Sequence, residues 1–192
     1  MDKLAVNNEG VKFANLNFSA LDAGGKEFSN CEFVKCDFSD GKLGGAVFSD
    51  CKFLNCNFSN TRVDNCSFRG AFFEGCKLMG VLFNDINQFM LGWEFKNCMI
   101  EFCNFDGLKM KNGKFAGCTI KESDFTNTNL AKCDFGHTDL QSSIFRGANL
   151  EGANFAGAKN YYIDPTQNKM KGAKFSQPEV LALLAAFEIK ID

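Results

Sequence analysis

Large apolar residues recur at every fifth position along most of this chain. From Phe13 the steps run Phe18, Ala23, Phe28, Phe33, Phe38, Leu43, Phe48, Phe53, Phe58, Val63, Phe68, Phe73, Leu78 and Phe83. The count fails at Gln88. It resumes two residues out of phase with Met90, Phe95, Ile100, Phe105 and Met110 and continues to Leu150 and Phe155. Neither the 3.6-residue period of a helix nor the two-residue period of one strand sustains such a pattern. A short word repeated at a fixed interval predicts a solenoid.

The word is clearest in Cys31–Asn60, which reads CEFVK, CDFSD, GKLGG, AVFSD, CKFLN, CNFSN. The large apolar residue is its centre. The residue two before it, the minus-two residue, is small, and on an extended backbone it points to the same side as the centre. The residue between them points out. The last two positions must turn the chain, and the second of them is Asn30, Asp40, Asp50, Asn60, Gly70 or Gly75 in a number of the words, residue types that tolerate turn geometry.

A strand and a bend repeated in this way coil the chain, with hydrogen bonds running from coil to coil at about 4.8 Å. Centres twenty apart match: Phe13, Phe33, Phe53, Phe73, and after the break Phe95, Phe115, Phe135, Phe155. Four words per coil fit this spacing, as do other even counts. The expected organisation is an N-terminal cap or frayed segment at 1–10 and a first repeat block at 11–83. A register break at 84–94, a second block at 95–158 and a C-terminal module at 159–192 follow. Lys26 and Gly41 are poor minus-two residues and predict local irregularity.

In the break, Trp93 falls in a minus-two slot. Either it plugs a distorted junction, or Asp85, Asn87, Gln88 and Phe89 project as a contact surface, since loops that interrupt a rigid scaffold often carry function. Phe72 and Phe102 fall off-centre, on the outside. In the C-terminal module, Tyr161–Pro165 reads as a turn leaving the coil. Ser176, Pro178 and Glu179 read as a helix start, Val180, Leu183, Leu184 and Phe187 as one apolar helical stripe, and Phe187, Ile189 and Ile191 as a short strand.

Composition narrows the function. The chain has 192 residues, 23 Phe, of which 18 fall on centres, and 10 Cys. All ten cysteines occupy minus-two slots, where Ala, Val, Ser and Thr stand in other words. They read as small core residues, not as zinc ligands or disulfides. Net charge is −2. Residues 11–83 carry 8 acidic and 8 basic side chains, and residues 95–157 carry 7 and 7, so neither block reads as a basic nucleic-acid footprint. The one histidine, His137, stands at a turn near Asp139 without a nucleophile or base that would make it catalytic. With no phosphate loop and no metal cluster in the sequence, neither an enzyme nor a cofactor is expected. No signal peptide or spanning segment is visible, and the expected location is cytoplasmic.

The repeated word over residues 11–158 resembles the pentapeptide-repeat family. That resemblance implies an all-β fold, a right-handed quadrilateral parallel β-helix of about seven coils, with a small C-terminal α-helix and strand as a cap. The tail, YIDPTQNKMKGAKFSQPEVLALLAAFEIKI, is similar to the C-terminal module of the topoisomerase-interacting branch, the Qnr quinolone-resistance proteins, the microcin immunity protein and their mycobacterial relative. The likeness implies a rod that imitates DNA at DNA gyrase or topoisomerase IV and a homodimer through Leu181, Leu184, Phe187, Ile189 and Ile191. Asp37, Asp40, Asp50, Asp106, Asp124, Asp134 and Asp139 would stand in for phosphates, with Asp85 and Gln88 of the break as further partner contacts. The competing expectation is a general protein-interaction or structural scaffold with no topoisomerase role. Neither reading involves direct contact with nucleic acid or a membrane.

Overall fold

The computed structural model describes residues 4–19, 21 and 23–189. The chain winds into a four-faced parallel β-solenoid of about eight turns, closed at one end by one short helix. Each word contributes one side of the square. On the first face, Asn8, Phe28, Phe48 and Phe68 lie above one another. The second face stacks Phe13, Phe33, Phe53, Phe73 and Phe95. Asn17, Asp37, Asn57 and Lys77 mark the third face, and Leu82, Asn104, Asp124 and Ile144 the fourth.

The five-residue word produces this shape for local reasons. Centre and minus-two side chains fill the tube: Phe33, Phe38, Phe48, Phe53, Cys51 and Ala46 are fully buried. Along each column the rings stack, as in Phe33–Phe53 at 4.9 Å and 10° and Phe115–Phe135 at 4.9 Å and 0°. Neighbouring columns meet edge to face, as in Phe33–Phe38 at 5.6 Å and 65°, the two arrangements that aromatic quadrupoles favour. The corners take left-handed backbone, with φ of 53° at Asn30 and Asp40 and 59° at Gly70. At Gly70 a Cβ would also lie 2.5 Å from the Asp50 carboxylate.

The minus-two slot does more than limit size. Its side chain donates a hydrogen bond to the carbonyl of a centre one coil earlier and one face back. Thr61 Oγ1 donates to Phe38 O at 2.8 Å, Thr138 Oγ1 to Phe115 O at 2.9 Å and Ser143 Oγ to Ile120 O at 3.1 Å. Cys66 and Cys133 thiols do the same to Leu43 and Met110 at 3.0 Å. Cys, Ser and Thr suit the slot because each is small and can give the centre carbonyl a second donor; at Phe38, Leu43, Met110 and Phe115 the first is the backbone N–H three residues on.

The ladder steps by twenty residues up to Asn57–Lys77, by twenty-two at Phe72–Glu94, Lys77–Met99 and Leu82–Asn104, and by twenty again from Glu94–Lys114. The register break expected at 84–94 therefore adds two residues to one coil. Met90, expected as a centre, is 66% exposed, and Gln88 also faces out. With both turned outward the first face lacks a centre in this coil. The buried indole of Trp93 fills the gap, 6.1 Å from the Phe68 ring and 5.2 Å from that of Phe83. It is accommodated because its own column holds Ala71 and Gly113 on either side.

A second irregularity corrects itself within one coil. Ile144 pairs with Tyr162 and Phe145 with Ile163, eighteen apart, while Asn149–Lys169 and Asn154–Lys174 return to twenty. Asn160 turns outward where the third-face centre would stand. The ring of Tyr161, buried in a minus-two slot, fills in 6.0 Å from Phe155. Trp93 and Tyr161 thus play the same part at two defects.

The solenoid extends beyond its expected limits at both ends. Asn7–Glu9 already pairs with Glu27–Ser29, so residues 7–9 belong to the first coil. Asn8 takes a centre slot because at the tube's open end its amide donates to the carbonyls of Ala5 and Glu27. At the other end Tyr161–Pro165 does not leave the coil: pairing continues to Lys174–Phe175, with Phe175 stacked on Phe155 at 5.0 Å.

The expected helix spans Glu179–Phe187 and packs on the Tyr162–Ile163 strand. Its pitch is 3-10, not α. The segment is apolar nearly all round, so the tighter winding still turns Ala182 and Leu183 toward the core. Ser176 does not cap it; its hydroxyl accepts from the Gly157 N–H at 3.1 Å, closing the last coil instead. Phe187 lies within the helix and Ile189 carries no strand, and Ile191 falls outside the described residues. Among the described residues no helix is long and apolar enough to cross a membrane.

Candidate interaction surface

All ten cysteines are buried and free. Burial pushes the thiols of Cys51, Cys66 and Cys133 up to about 12. Among the described residues no cluster of metal-ligating groups forms. Shallow hollows lie on the outer wall, among them one of 300 Å³ beside Ile144, Arg146, Tyr162 and Asp164, one of 130 Å³ beside Arg62, Asp64, Leu82 and Asp85, and one of 240 Å³ beside Asn30, Cys31, Glu32 and Asp50. None of the three is lined by a histidine, and Cys31, the one cysteine among them, is 1% exposed. His137 stands exposed at a corner, φ 57°. What the fold displays is its wall.

The aspartates expected to meet a partner do not share one face. Asp37, Asp40 and Asp139 belong to the third face, Asp85, Asp106 and Asp124 to the fourth, Asp134 to the second, and Asp50 to a corner of the first. Gln88 lies on the first face, in the break.

Several of these carboxylates also hold the coil. Asp37, Asp124 and Asp134 each accept the backbone N–H two residues on, from Ser39, Thr126 and Gly136. Hydrogen bonds from Ser39 and from the Asn57 amide keep the Asp37 carboxyl below its usual range. Asp40, Asp106 and Asp139 accept from Asn60, Asn127 and Asn160 of the next coil. These bonds fix the carboxylates without neutralising them.

Ion pairs are concentrated on the second face, where Lys12–Glu32, Lys96–Glu74 and Lys114–Glu94 bridge successive coils. The fourth face is different. Glu101 and Glu122 stand at the edge it shares with the third face, Asp124 on the face itself, and Asp85 and Asp106 at the edge it shares with the first, over three coils, and among the described residues none of the five enters an ion pair. Among them stand exposed apolar side chains, Leu82 at 53%, Met99 at 44% and Phe102 at 51%. Phe102 occupies a corner with φ 55°, a conformation that a bulky side chain adopts at a cost. Glu101, Glu122, Leu82 and Met99 carried no sequence signal as single residues; their positions one and two coils apart assemble them. Phe72 is different, lying half-buried between Lys52 and Glu94.

At the far end, Leu181, Leu184 and Phe187 recur every third residue and so line one side of the 3-10 helix. Leu181 is 46% and Phe187 52% exposed, with Ile189 beyond them at 55%.

The pentapeptide repeats profile matches residues 12–50 and 120–157, and a second pentapeptide repeats profile matches residues 42–85. No curated protein matches the chain. Among solved structures, trypsin-treated QnrB1, a plasmid-mediated fluoroquinolone resistance protein, is similar at 18% identity and TM-score 0.50, covering 96% of this chain and 99% of that one. HetL, a pentapeptide repeat protein involved in heterocyst differentiation regulation in the cyanobacterium Nostoc sp. strain PCC 7120, is similar at 15% identity and TM-score 0.43, covering 88% and 84%. Likeness at these identities concerns the fold. The repeated word, the four columns it builds and the matched profiles agree: the chain belongs to the pentapeptide repeat family.

Proposed function

We propose that this protein is a non-enzymatic interaction protein that engages a type II DNA topoisomerase, DNA gyrase or topoisomerase IV, as a DNA-like rod, and modulates it or protects it from a toxin or quinolone. The observation that carries this reading is the acidic fourth face, with Asp85, Glu101, Asp106, Glu122 and Asp124 on it and along its two edges. Five carboxylates over three coils give one charge per roughly 3 Å of rod, against about 1.7 Å in duplex DNA. The likeness in fold of 96% of the chain to a fluoroquinolone resistance protein supports the same reading. The apolar line of Leu181, Leu184 and Phe187 fits a head-to-head homodimer, whose two copies would bury it against itself.

A gyrase supercoiling assay with and without a fluoroquinolone tests this. The chain at micromolar concentration is expected to change supercoiling or to restore it in the presence of drug; no effect in either condition contradicts the reading. The second reading, a scaffold for another protein, is favoured by the apolar Leu82, Met99 and Phe102 among these carboxylates, which imitate nothing in a phosphate backbone.

A further inference from the structure

We propose that the first face of the second half, on the opposite side of the tube from the third, binds the phosphodiester backbone of a single-stranded nucleic acid. Lys109, Asn129, Asn149 and Lys169 pair in succession as parallel bridges. Their side chains leave the same face in a straight row, about 14 Å long at about 4.8 Å per coil. Lys111 and Lys171 stand two residues further along the same strands, and Lys132 at the corner between. All five lysines are exposed, and none enters an ion pair among the described residues. Glu151 is the one acid on this stretch of the face.

The two asparagines make the row unusual. Asn129 Oδ1 accepts from the Ala131 N–H at 3.2 Å, and Asn149 Oδ1 from the Glu151 N–H at 3.1 Å. With the oxygen held by backbone, the amide NH2 is what remains to face out. Where an aspartate stands one coil back that NH2 is consumed: Asn57 donates to Asp37 at 3.1 Å and Asn154 to Asp134 at 2.8 Å. The first-face row holds no aspartate, so both amides have no partner among the described residues. The row therefore presents donors alone, two ammonium groups flanking two amides.

A donor-only row fits a chain of acceptors. An acidic peptide carries its own backbone N–H groups, which this row cannot accept; a phosphodiester chain carries none. At the lower end of the row Gln88 Oε1 accepts from the Lys109 N–H at 3.3 Å, which fixes the break loop beside it. Phe89 in that loop is 60% exposed, with the Arg69 guanidinium 5.4 Å from its ring centre. An aromatic ring at the end of a basic track is the element on which an unpaired base stacks. The balance of charge over residues 95–157 concealed this surface, because coiling sorts acids and bases onto different faces. The proposal is separate from the topoisomerase reading, which uses the carboxylates of the adjoining fourth face.

The test is fluorescence anisotropy of a labelled oligothymidylate of about 20 nucleotides with the full chain. Saturable binding is expected, weakening with salt. Each phosphate-bound lysine contributes about 0.7 to the slope for a single strand, so Lys109→Glu with Lys169→Glu should lower the slope by about 1.4 and the affinity by about ten-fold or more. Asn129→Asp with Asn149→Asp should weaken binding as well, while Lys77→Glu with Lys121→Glu on the third face should leave it within about two-fold. Lys111→Glu with Lys171→Glu repeats the test in the neighbouring row should the first pair disturb folding. Absence of binding by the parent at low salt overturns the proposal. So does equal loss in the third-face variant, or displacement of the oligonucleotide by polyglutamate as readily as by unlabelled oligothymidylate.

Discussion

The indole Nε1–H of Trp93 donates to the carbonyl oxygen of Phe68 at 2.7 Å. That carbonyl occupies the place where Thr61, Thr138 or Cys66 meets its own partner elsewhere in the tube. Trp93 therefore replaces two things at once, the ring missing from the first face and the donor of a minus-two slot. Trp93→Phe keeps most of the ring and loses the donor, for an expected cost of about 1–3 kcal/mol. Trp93→Ala empties the site and is expected to cost about 3–5 kcal/mol. Urea unfolding measures both, and a Phe variant as stable as the parent would show that the hydrogen bond adds nothing to the packing.

The donor role of the minus-two slot is tested where burial is complete. Thr138 is fully buried and its hydroxyl reaches Phe115 O. Thr138→Val preserves shape and leaves the Phe115 carbonyl one of its two donors, the Cys118 N–H, with an expected loss of about 0.5–1.5 kcal/mol. Thr138→Ser retains the donor, so part of that loss should be recovered. A Val variant as stable as the parent would reduce the slot to a size filter.

The buried thiols give the protein an alkaline limit. Desolvation raises the folded-state values of Cys51, Cys66 and Cys133 from 9.0 to about 12. The protonated form is thus favoured in the folded state, and the stability this contributes is complete below pH 9 and is lost as pH rises toward about 12. Thermal unfolding should be flat in this respect through neutral pH and fall above pH 9, and Cys51→Ala with Cys133→Ala should make the fall shallower. A thiol reagent at pH 8 is expected to label these positions only after denaturant is added.

Phe102 holds a left-handed corner that Asn30, Asn60 and Gly80 fill without strain. Phe102→Asn should raise stability by about 1 kcal/mol while removing an exposed ring from the acidic surface. A gain in stability joined to a loss of partner binding identifies Phe102 as a contact; a loss of stability shows that its ring packs on the wall.

The C-terminal line is tested by sedimentation of Leu184→Asp beside the parent. A dimeric parent and a monomeric variant are expected. If both sediment as one species, the helix serves as a cap alone.

The columns, corners and cysteine slot were legible because each depends on local alternation at a fixed period. Phe33, Cys51 and Asn30 behave as their place in the word dictates. The defects were harder to read. Gln88 and Met90 both fit a two-residue slip, and the choice fell to where the Trp93 indole could fit, a matter of neighbours one coil away, Ala71 and Gly113. Tyr161 was hidden in the same way, since a large residue in a small slot is intelligible only once the outward turn of Asn160 is known. Asn8 and Phe175 lie in end coils whose words are too degenerate to count. The acidic face and the donor row depend on which face each charge occupies, information that a sum over a block discards.

The most direct test of the account is the affinity of immobilised DNA gyrase for the purified chain, compared with that for Asp85→Lys with Asp106→Lys and with Asp134→Asn on the second face. The account predicts binding by the parent, near-complete loss on reversing the two edge carboxylates, and little change at Asp134. Unaltered binding by the edge variant, or no binding by the parent, would contradict it.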